Sequence, residues 1–193
     1  RLVYQDERGL LDLPLPVLPG AHQIYNAGAA LAALRHLDLP ETRFEAAVTR
    51  AQWPARLQRL KTGPLKDMAP DADLWLDGGH NAAAGQALAS HLAQQSLRPT
   101  YLICGMLNTK DVAGYLAPMA PYVAELFAVS IPGEANTLPA ETTATAAKSV
   151  GMAATAADTV NAAVAKILKS DPASRILICG SLYLAGQILR ENA

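Results

Sequence analysis

Three short apolar runs of this sequence end in glycine turns that carry polar side chains. The runs and their turns are LWLDGGHN (74–81), YLICGMLN (101–108) and RILICGSLY (175–183). Each pattern is typical of a buried strand, and ligands of open parallel sheets bind outside the carboxyl ends of the strands. We therefore expect Asp77, Gly105 and Ser181 at one edge of a sheet, and that edge is the candidate site.

The first turn, DGGHN, holds residue types suited to a nucleotide. Asp77 can accept two hydrogen bonds from a ribose diol, and Asn81 can cap the helix that follows. His80 lies beside the start of that helix, where backbone N–H groups and the positive end of the dipole attract phosphate. The same residues also fit a plain strand-to-helix turn with a capping asparagine. The turn alone leaves both interpretations open.

Two earlier segments could add contacts to the same ligand. LPGAHQIYNAGAALAAL (18–34) places Gln23 and Asn26 on one helical face, where an amide can pair with the donor and acceptor of an adenine edge. WPARLQRL (53–60) contains Arg56, whose guanidinium can bind phosphate oxygens through two hydrogen bonds. Taken singly, the amides also fit a solvated helix face, and Arg56 also fits a surface ion pair.

From Trp75 onward, apolar runs alternate with glycine turns and alanine-rich stretches. This alternation predicts an α/β fold, with βα units around a sheet of about six mostly parallel strands. The predicted strands are 74–76, 101–104, 125–129 and 175–179. The predicted helices lie near 82–95, 111–119, 139–149, 158–169 and 182–190.

The first 54 residues have a different pattern. Residues 11–17 alternate leucine with Asp or Pro, which indicates an edge strand because proline is tolerated there. Helices are predicted over 20–37 and roughly 41–51. The change of character near 53–63 predicts a domain boundary. Cys104 and Cys179 each end an apolar run and are expected to be reduced core residues.

Composition limits the kinds of ligand that this chain can bind. The net charge is −1 and only 17% of the 193 residues are charged, without a basic run to attract nucleic acid or an anionic membrane. No apolar stretch reaches the ~20 residues that span a bilayer. We expect a monomeric, cytoplasmic protein with small-molecule ligands. The chain begins with Arg1 rather than Met, so we expect a fragment of a larger functional unit.

Five segments together resemble the folylpolyglutamate synthase/dihydrofolate synthase family of the Mur ligase superfamily. In chain order they are PGAHQIYNAGAALAAL, WPARLQ, DGGHNAAAGQALA, ICGMLNTKD and ICGSLYLAGQIL. The resemblance runs through essentially the whole chain. The family pattern at 77–82 is usually DGAHNP, so Gly79 and Ala82 depart from it. The departure leaves the polar side chains in place and predicts a looser turn.

The resemblance implies a Rossmann-like Mur ligase C-terminal domain over 55–193, with a mostly parallel sheet and helices on both faces. Residues 1–54 would be a small α/β remnant of the central ATPase domain. It also implies a role for each matching side chain. Asn26 would contact the adenine, Asp77 the ribose, Arg56 the phosphates and His80 the phosphate region, with Arg56 and His80 as the catalytic residues. Ser181 would hold the glutamate, and Lys110 and Asp111 would serve the same pocket or domain closure.

The implied reaction uses ATP and Mg²⁺ to phosphorylate a carboxylate of dihydropteroate or a folate, and the amine of L-glutamate then attacks the acyl phosphate. No GxxxxGK[ST] motif occurs here, so the phosphate cradle and the Mg²⁺ ligands would lie outside this sequence. The fragment itself is therefore expected to be inactive, and we assign it no metal ligands.

Two alternatives remain at this point. A peptidoglycan-type Mur ligase shares the fold and the ATP site, although GSLYLAG and WPARLQ favour the folate branch. A non-catalytic Rossmann-like nucleotide-binding module is weakened because no GxGxxG opens a helix after the first strand of the domain.

Overall fold

The computed structural model describes residues 1–96 and 98–192. The chain divides into two compact units, Arg1–Pro54 and Ala55–Ala193. Among the described residues, no helix is long and apolar enough to cross a lipid bilayer.

The first unit combines a β-hairpin with two helices. Strands β1 (Leu2–Asp6) and β2 (Gly9–Leu13) pair antiparallel, and helices α1 (His22–His36) and α2 (Phe44–Thr49) follow. A 3-10 turn, Glu41–Arg43, leads directly into α2. Every second residue of the hairpin faces inward, so the strands and helices share a small core: Leu2, Leu13, Ala27, Leu31, Phe44 and Val48.

Arg35, on the last turn of α1, fixes the helix to the hairpin. Its guanidinium is 3% exposed and pairs with Asp6 and with Glu41, and it also donates to the carbonyl of Gly9 at 2.9 Å. A buried charge is tolerated when its hydrogen bonds are satisfied in this way. Arg35 is therefore a structural residue of the first unit.

The second unit is a single sheet with helices on both faces. Its strands are β3 (Gln58–Arg59), β4 (Asp73–Leu76), β5 (Thr100–Cys104), β6 (Glu125–Ala128), β7 (Ala154–Ala156) and β8 (Arg175–Cys179). Its helices are α3 (Pro64–Met68), α4 (Ala82–Leu92), α5 (Val112–Leu116), α6 (Ala140–Ser149), α7 (Val160–Ser170) and α8 (Leu182–Glu191).

The strand order is β3-β4-β8-β5-β6-β7, and only β3 runs antiparallel to its neighbour. The last strand, β8, therefore lies between β4 and β5. Strand residues alternate between two cores: Ile176 and Ile178 face the layer of α3, α7 and α8, whereas Leu177 and Cys179 face α4, α5 and α6. Since α8 leaves β8 on one face while α4 and α5 leave their strands on the other, a crevice opens at the carboxyl end of β8.

The predicted α/β class, with a mostly parallel six-stranded sheet, is confirmed. All four predicted strands of the second unit are present, as are five helices close to their predicted positions. The edge strand predicted over 11–17 ends at Leu13, because Pro14 and Pro16 cannot donate to the ladder. Four elements were not predicted, because they are short or lie at sheet edges: β1, β3, β7 and α3.

Cys104 and Cys179 lie opposite each other at the ends of β5 and β8, and both are buried free thiols. Their contact and their burial raise the pKa of the Cys104 thiol well above its usual value. The Cys104 thiol therefore stays protonated, and both cysteines are buried core residues, as predicted.

Candidate functional site

Asp77 lies directly after β4 and holds two loops together. Its side chain is buried, and its Oδ1 accepts the Gly79 N–H at 2.7 Å while its Oδ2 accepts the Leu57 N–H at 2.9 Å. A carboxylate that accepts backbone N–H groups in a buried place fixes the local backbone strongly. The carboxylate thereby connects the glycine turn to the loop that carries Arg56.

The loop around Arg56 is held in an unusual conformation. Ala55 and Leu57 have φ values of 57° and 44°, in the left-handed region that L-residues seldom adopt. The Ala55 carbonyl accepts the Gly78 N–H at 2.9 Å, and the Gln58 side chain accepts the Ala55 N–H at 2.9 Å. Strained backbone persists only where surrounding contacts hold it, and such strain is concentrated at functional sites.

This loop places the Arg56 side chain over the glycine turn. A Cβ built on Gly78 would lie 3.5 Å from Arg56 Nη1 and would collide with Leu182 of α8. Glycine is thus required at position 78 because two side chains approach its backbone closely. The result is a cation half-buried beside the start of α4.

The ring of His80 is oriented by its own turn. His80 Nδ1 lies 3.0 Å from the Gly78 carbonyl oxygen, which can only accept, so Nδ1 carries the proton of this hydrogen bond. Nε2 is therefore the nitrogen left to contact a ligand. A doubly protonated ring would donate from Nε2 to a phosphate oxygen, whereas a neutral ring would accept there.

Two side chains after strand ends cap the helices that flank the crevice. Asn81 accepts the Ala84 N–H at 2.9 Å at the start of α4, as predicted, and Ser181 accepts the Tyr183 N–H at 3.0 Å at the start of α8. The Ser181 hydroxyl is buried, and its acceptor role leaves its own proton free to donate. A hydroxyl donor next to a helix N-terminus is well suited to an anionic group.

The structure brings three of the predicted site residues together in one cleft of about 90 Å³. His80, Lys110 and Ser181 contribute its polar groups, and they come from the turns after β4, β5 and β8. The remaining lining residues are Leu107, Gly180, Leu182 and Tyr183. An imidazole, an ammonium and a hydroxyl in one small cleft make it suited to a carboxylate or a phosphate.

Asp111, predicted for the same pocket or for domain closure, has a structural contact. Its carboxylate caps the short helix α5 by accepting the Gly114 N–H at 2.9 Å. Lys110, one residue earlier, lines the cleft. The cap at Asp111 thereby fixes the backbone from which Lys110 projects.

The turn at Gly79 is tight rather than loose. A Cβ built on Gly79 would lie 2.7 Å from the Ala84 Cβ and 2.8 Å from Asp77 Oδ1. Side-chain atoms do not approach so closely, so the first turn of α4 occupies the space that an alanine needs. Glycine at this position accompanies closer packing of α4 against the turn.

Asn26 lies in the first unit, on α1. Its amide donates to the buried Gln23 Oε1 at 2.9 Å, and Gln23 Nε2 lies 3.1 Å from His22 Nε2. The predicted common face of Gln23 and Asn26 is therefore present. The Asn26 side chain is exposed, and its carbonyl oxygen remains available as an acceptor.

The sequence analysis missed two parts of the site. Leu182 and Tyr183 are 48% and 60% exposed at the mouth of the cleft, although they follow directly on a buried strand end. Leucine and tyrosine in the first turn of a helix, immediately after a capping serine, are the signal that could have shown them. The left-handed backbone at Ala55 and Leu57 has no such signal, because neither residue type favours it.

The fold and the cleft define a Rossmann-like α/β domain with a small cleft at its topological switch point. Residues 58–191 match the family described as the dihydrofolate synthetase C-terminal domain. The chain therefore belongs to the folylpolyglutamate synthase/dihydrofolate synthase family, of which it represents the C-terminal portion.

Individual relatives agree with this family. The chain is 27% identical to the folylpolyglutamate synthase of Lacticaseibacillus casei over 97% of its length, and the match covers 42% of that protein. Escherichia coli FolC in complex with DHPP and ADP superposes with a TM-score of 0.78 at 27% identity, covering 96% of this chain and 42% of that one. A bifunctional folylpolyglutamate synthase/dihydrofolate synthase with Mn, AMPPNP and L-glutamate bound gives a TM-score of 0.77 at 26% identity, covering 96% and 43%.

The chain thus spans about two-fifths of the length of these relatives. The family match confirms the predicted resemblance. It also favours a folate-type ligase over a peptidoglycan-type Mur ligase. The individual roles of Asn26, Arg56, Asp77 and His80 stay predictions, as do those of Lys110 and Ser181.

Proposed function

We propose that this chain is the C-terminal portion of an ATP-dependent ligase that adds L-glutamate to dihydropteroate, to folates or to both. The observation that carries the proposal is the cleft at the switch point, where His80, Lys110 and Ser181 meet. A similar chain has been solved with AMPPNP and L-glutamate bound, and another with DHPP and ADP. Residues 1–54 would then be the end of the central ATPase domain.

Ser181 and Lys110 would hold a carboxylate of the glutamate. The Ser181 proton is free to donate, and Lys110 adds a positive charge in the same cleft. Leu182 and Tyr183 would cover the aliphatic part of the amino acid, since their exposed side chains border the cleft.

Arg56 and His80 would lie on the phosphate side. Arg56 is placed over Gly78 by a strained loop, and His80 has its Nδ1 committed to the Gly78 carbonyl. A guanidinium and an imidazole beside a helix start can stabilise the charge that develops when phosphate is transferred to a carboxylate. The ribose would be bound near Asp77, whose carboxylate also keeps this loop in place.

ATP would supply the phosphoryl group, and Mg²⁺ would neutralise its phosphates. The cleft offers an ammonium, an imidazole and a hydroxyl, a set that suits anions better than a hard cation, which prefers several carboxylate or carbonyl oxygens. We therefore propose that the Mg²⁺ ligands belong to a part of the enzyme outside this sequence. The cleft residues would bind and orient the glutamate and exclude water from the reacting carboxyl group.

The proposal predicts that the chain 1–193 alone has no ligase activity. Glutamate-dependent release of ADP should stay at background with dihydropteroate or a folate, because the chain lacks a phosphate cradle of the P-loop type. The assay is coupled ADP detection, with a full-length family member as the positive control. Turnover by the isolated chain would show that it carries a complete active site and that the proposed division of labour is wrong.

A further inference from the structure

A second pocket lies at the opposite edge of the sheet from the cleft. It has a volume of about 500 Å³ and lies beside the first residues of β5 and β8, Thr100 and Arg175. The cleft lies after the last residues of the same strands. The two places are therefore separated by the length of the parallel strands.

The pocket contains a buried arginine whose charge is poorly compensated. Arg175 is 5% exposed, and its Nε has no hydrogen-bond partner among the described residues. Its two other nitrogens reach Thr100 Oγ1 at 3.2 Å and Ser96 Oγ at 3.5 Å, which are long distances for a guanidinium. A buried guanidinium whose hydrogen bonds are long is costly unless a further group adds to them.

The nearest carboxylate, Asp73, compensates the charge of Arg175 only in part. Asp73 Oδ2 lies 3.8 Å from Arg175 Nε, while Asp73 Oδ1 pairs with Arg59 Nε at 2.7 Å. One negative charge is thus shared by two guanidinium groups. Burial lowers the pKa of Arg175, Asp73 partly offsets this effect, and Arg98 adds to it.

Arg98 brings a second positive charge to the same pocket. It is exposed, it lines the pocket together with Arg175, and the described residues that line this pocket include no carboxylate. Two guanidinium groups that face one cavity form a recurring recognition site for oxyanions, because each offers parallel N–H donors.

From this geometry we infer that the pocket at the start of β5 and β8 binds a small oxyanion, the phosphate or carboxylate group of a metabolite. The anion would accept hydrogen bonds from Arg175 and Arg98 and would balance their excess positive charge. The site is independent of the proposed ligase cleft, since it lies at the other edge of the sheet and shares no residue with that cleft.

The test is a titration of the chain 1–193 followed by ¹H–¹⁵N NMR at constant ionic strength. Inorganic phosphate and succinate are the two probes, with sodium chloride as the balancing salt. We expect saturable shifts of the Ser96, Thr100 and Ala124 amides with at least one probe, and the stronger probe identifies the anionic group. Shifts confined to Gly79 and Gly180, or shifts that never saturate, would overturn the inference.

Three variants make the result specific. Arg98→Gln should weaken binding about tenfold, the effect of losing one charge-assisted hydrogen bond. Arg175→Met should abolish saturable binding. If Arg175→Met does not fold, Arg98→Gln alone tests the site. Arg43→Gln removes an exposed arginine in the first unit and should leave binding unchanged. Equal binding by Arg98→Gln and Arg43→Gln would overturn the site.

Discussion

Replacing Asp77 by alanine is expected to lower the free energy of unfolding of the second unit by about 2–4 kcal/mol. The change leaves the N–H groups of Leu57 and Gly79 without their acceptor in a buried place, and each such loss costs about 1–3 kcal/mol. It also releases the left-handed loop at Ala55 and Leu57. The measurement is urea unfolding of the chain 1–193, followed by far-UV circular dichroism.

Asp77→Asn and Asp71→Ala are the matched variants. Asparagine keeps one oxygen but presents an NH₂ group to the second N–H. Asp77→Asn should therefore lower the free energy of unfolding by a large part of the decrease expected for Asp77→Ala. Asp71 is exposed in a turn, and its replacement should change stability by about 0.5 kcal/mol or less. A loss in Asp77→Ala no greater than that in Asp71→Ala would show that the carboxylate does not hold the two loops.

His80→Ala is expected to lower kcat of a full-length ligase that carries this sequence by about tenfold or more. His80 has its Nδ1 fixed by the Gly78 carbonyl, so a doubly protonated ring would donate from Nε2 to phosphate oxygens whose charge increases in the transition state. The loss of one hydrogen bond to a charged group, about 1.5–3 kcal/mol, sets the scale. The KM for ATP should rise as well, because part of the contact exists before reaction.

The measurement is steady-state ADP release with ATP varied at saturating glutamate and pterin. His36→Ala is the control, because His36 is exposed at the end of α1 and should leave both constants unchanged. Wild-type kcat and ATP dependence in His80→Ala would mean that the imidazole only bonds to its own turn.

The sheet could be predicted because its strands are continuous apolar runs that end in glycine. Strands buried on both faces, such as Arg175–Cys179, need apolar residues at every inner position, and this requirement makes them visible in a sequence. Strand β3 has two residues, β7 has three, and both lie at sheet edges. Such strands need little hydrophobicity, and their pairing is decided by tertiary contacts that local patterns do not contain.

The site could be predicted in part for a similar reason. The turns after β4, β5 and β8 must lie at one edge once the strands are parallel, so the sequence predicts Asp77, Gly105 and Ser181 at that edge. The order of the strands was not predictable, because β8 enters the sheet between β4 and β5 only through long-range packing. The hydrogen bond from the Leu57 N–H to the Asp77 carboxylate could not be predicted either, because the two residues are 20 positions apart in the sequence.

In our proposal, the cleft at the end of β8 binds glutamate in a folate–glutamate ligase. Ser181→Ala tests it, but this change also removes the cap of α8, which costs about 0.5–2 kcal/mol of stability. Thr159→Ala is the matched control, because the Thr159 hydroxyl caps α7 by accepting the Ala162 N–H at 3.0 Å and does not line the cleft. Both variants should lose similar stability, so a difference between them reports on the cleft.

The decisive measurement is the KM for L-glutamate of these two variants in a full-length ligase that carries this sequence. Ser181→Ala should raise it roughly tenfold, as expected for one lost hydrogen bond of about 1.5 kcal/mol to a carboxylate. Thr159→Ala should leave it at the wild-type value, and neither change should alter the KM for ATP. Unchanged glutamate dependence in Ser181→Ala, with a raised KM for ATP, would show that the cleft does not bind glutamate and would assign this turn to the nucleotide.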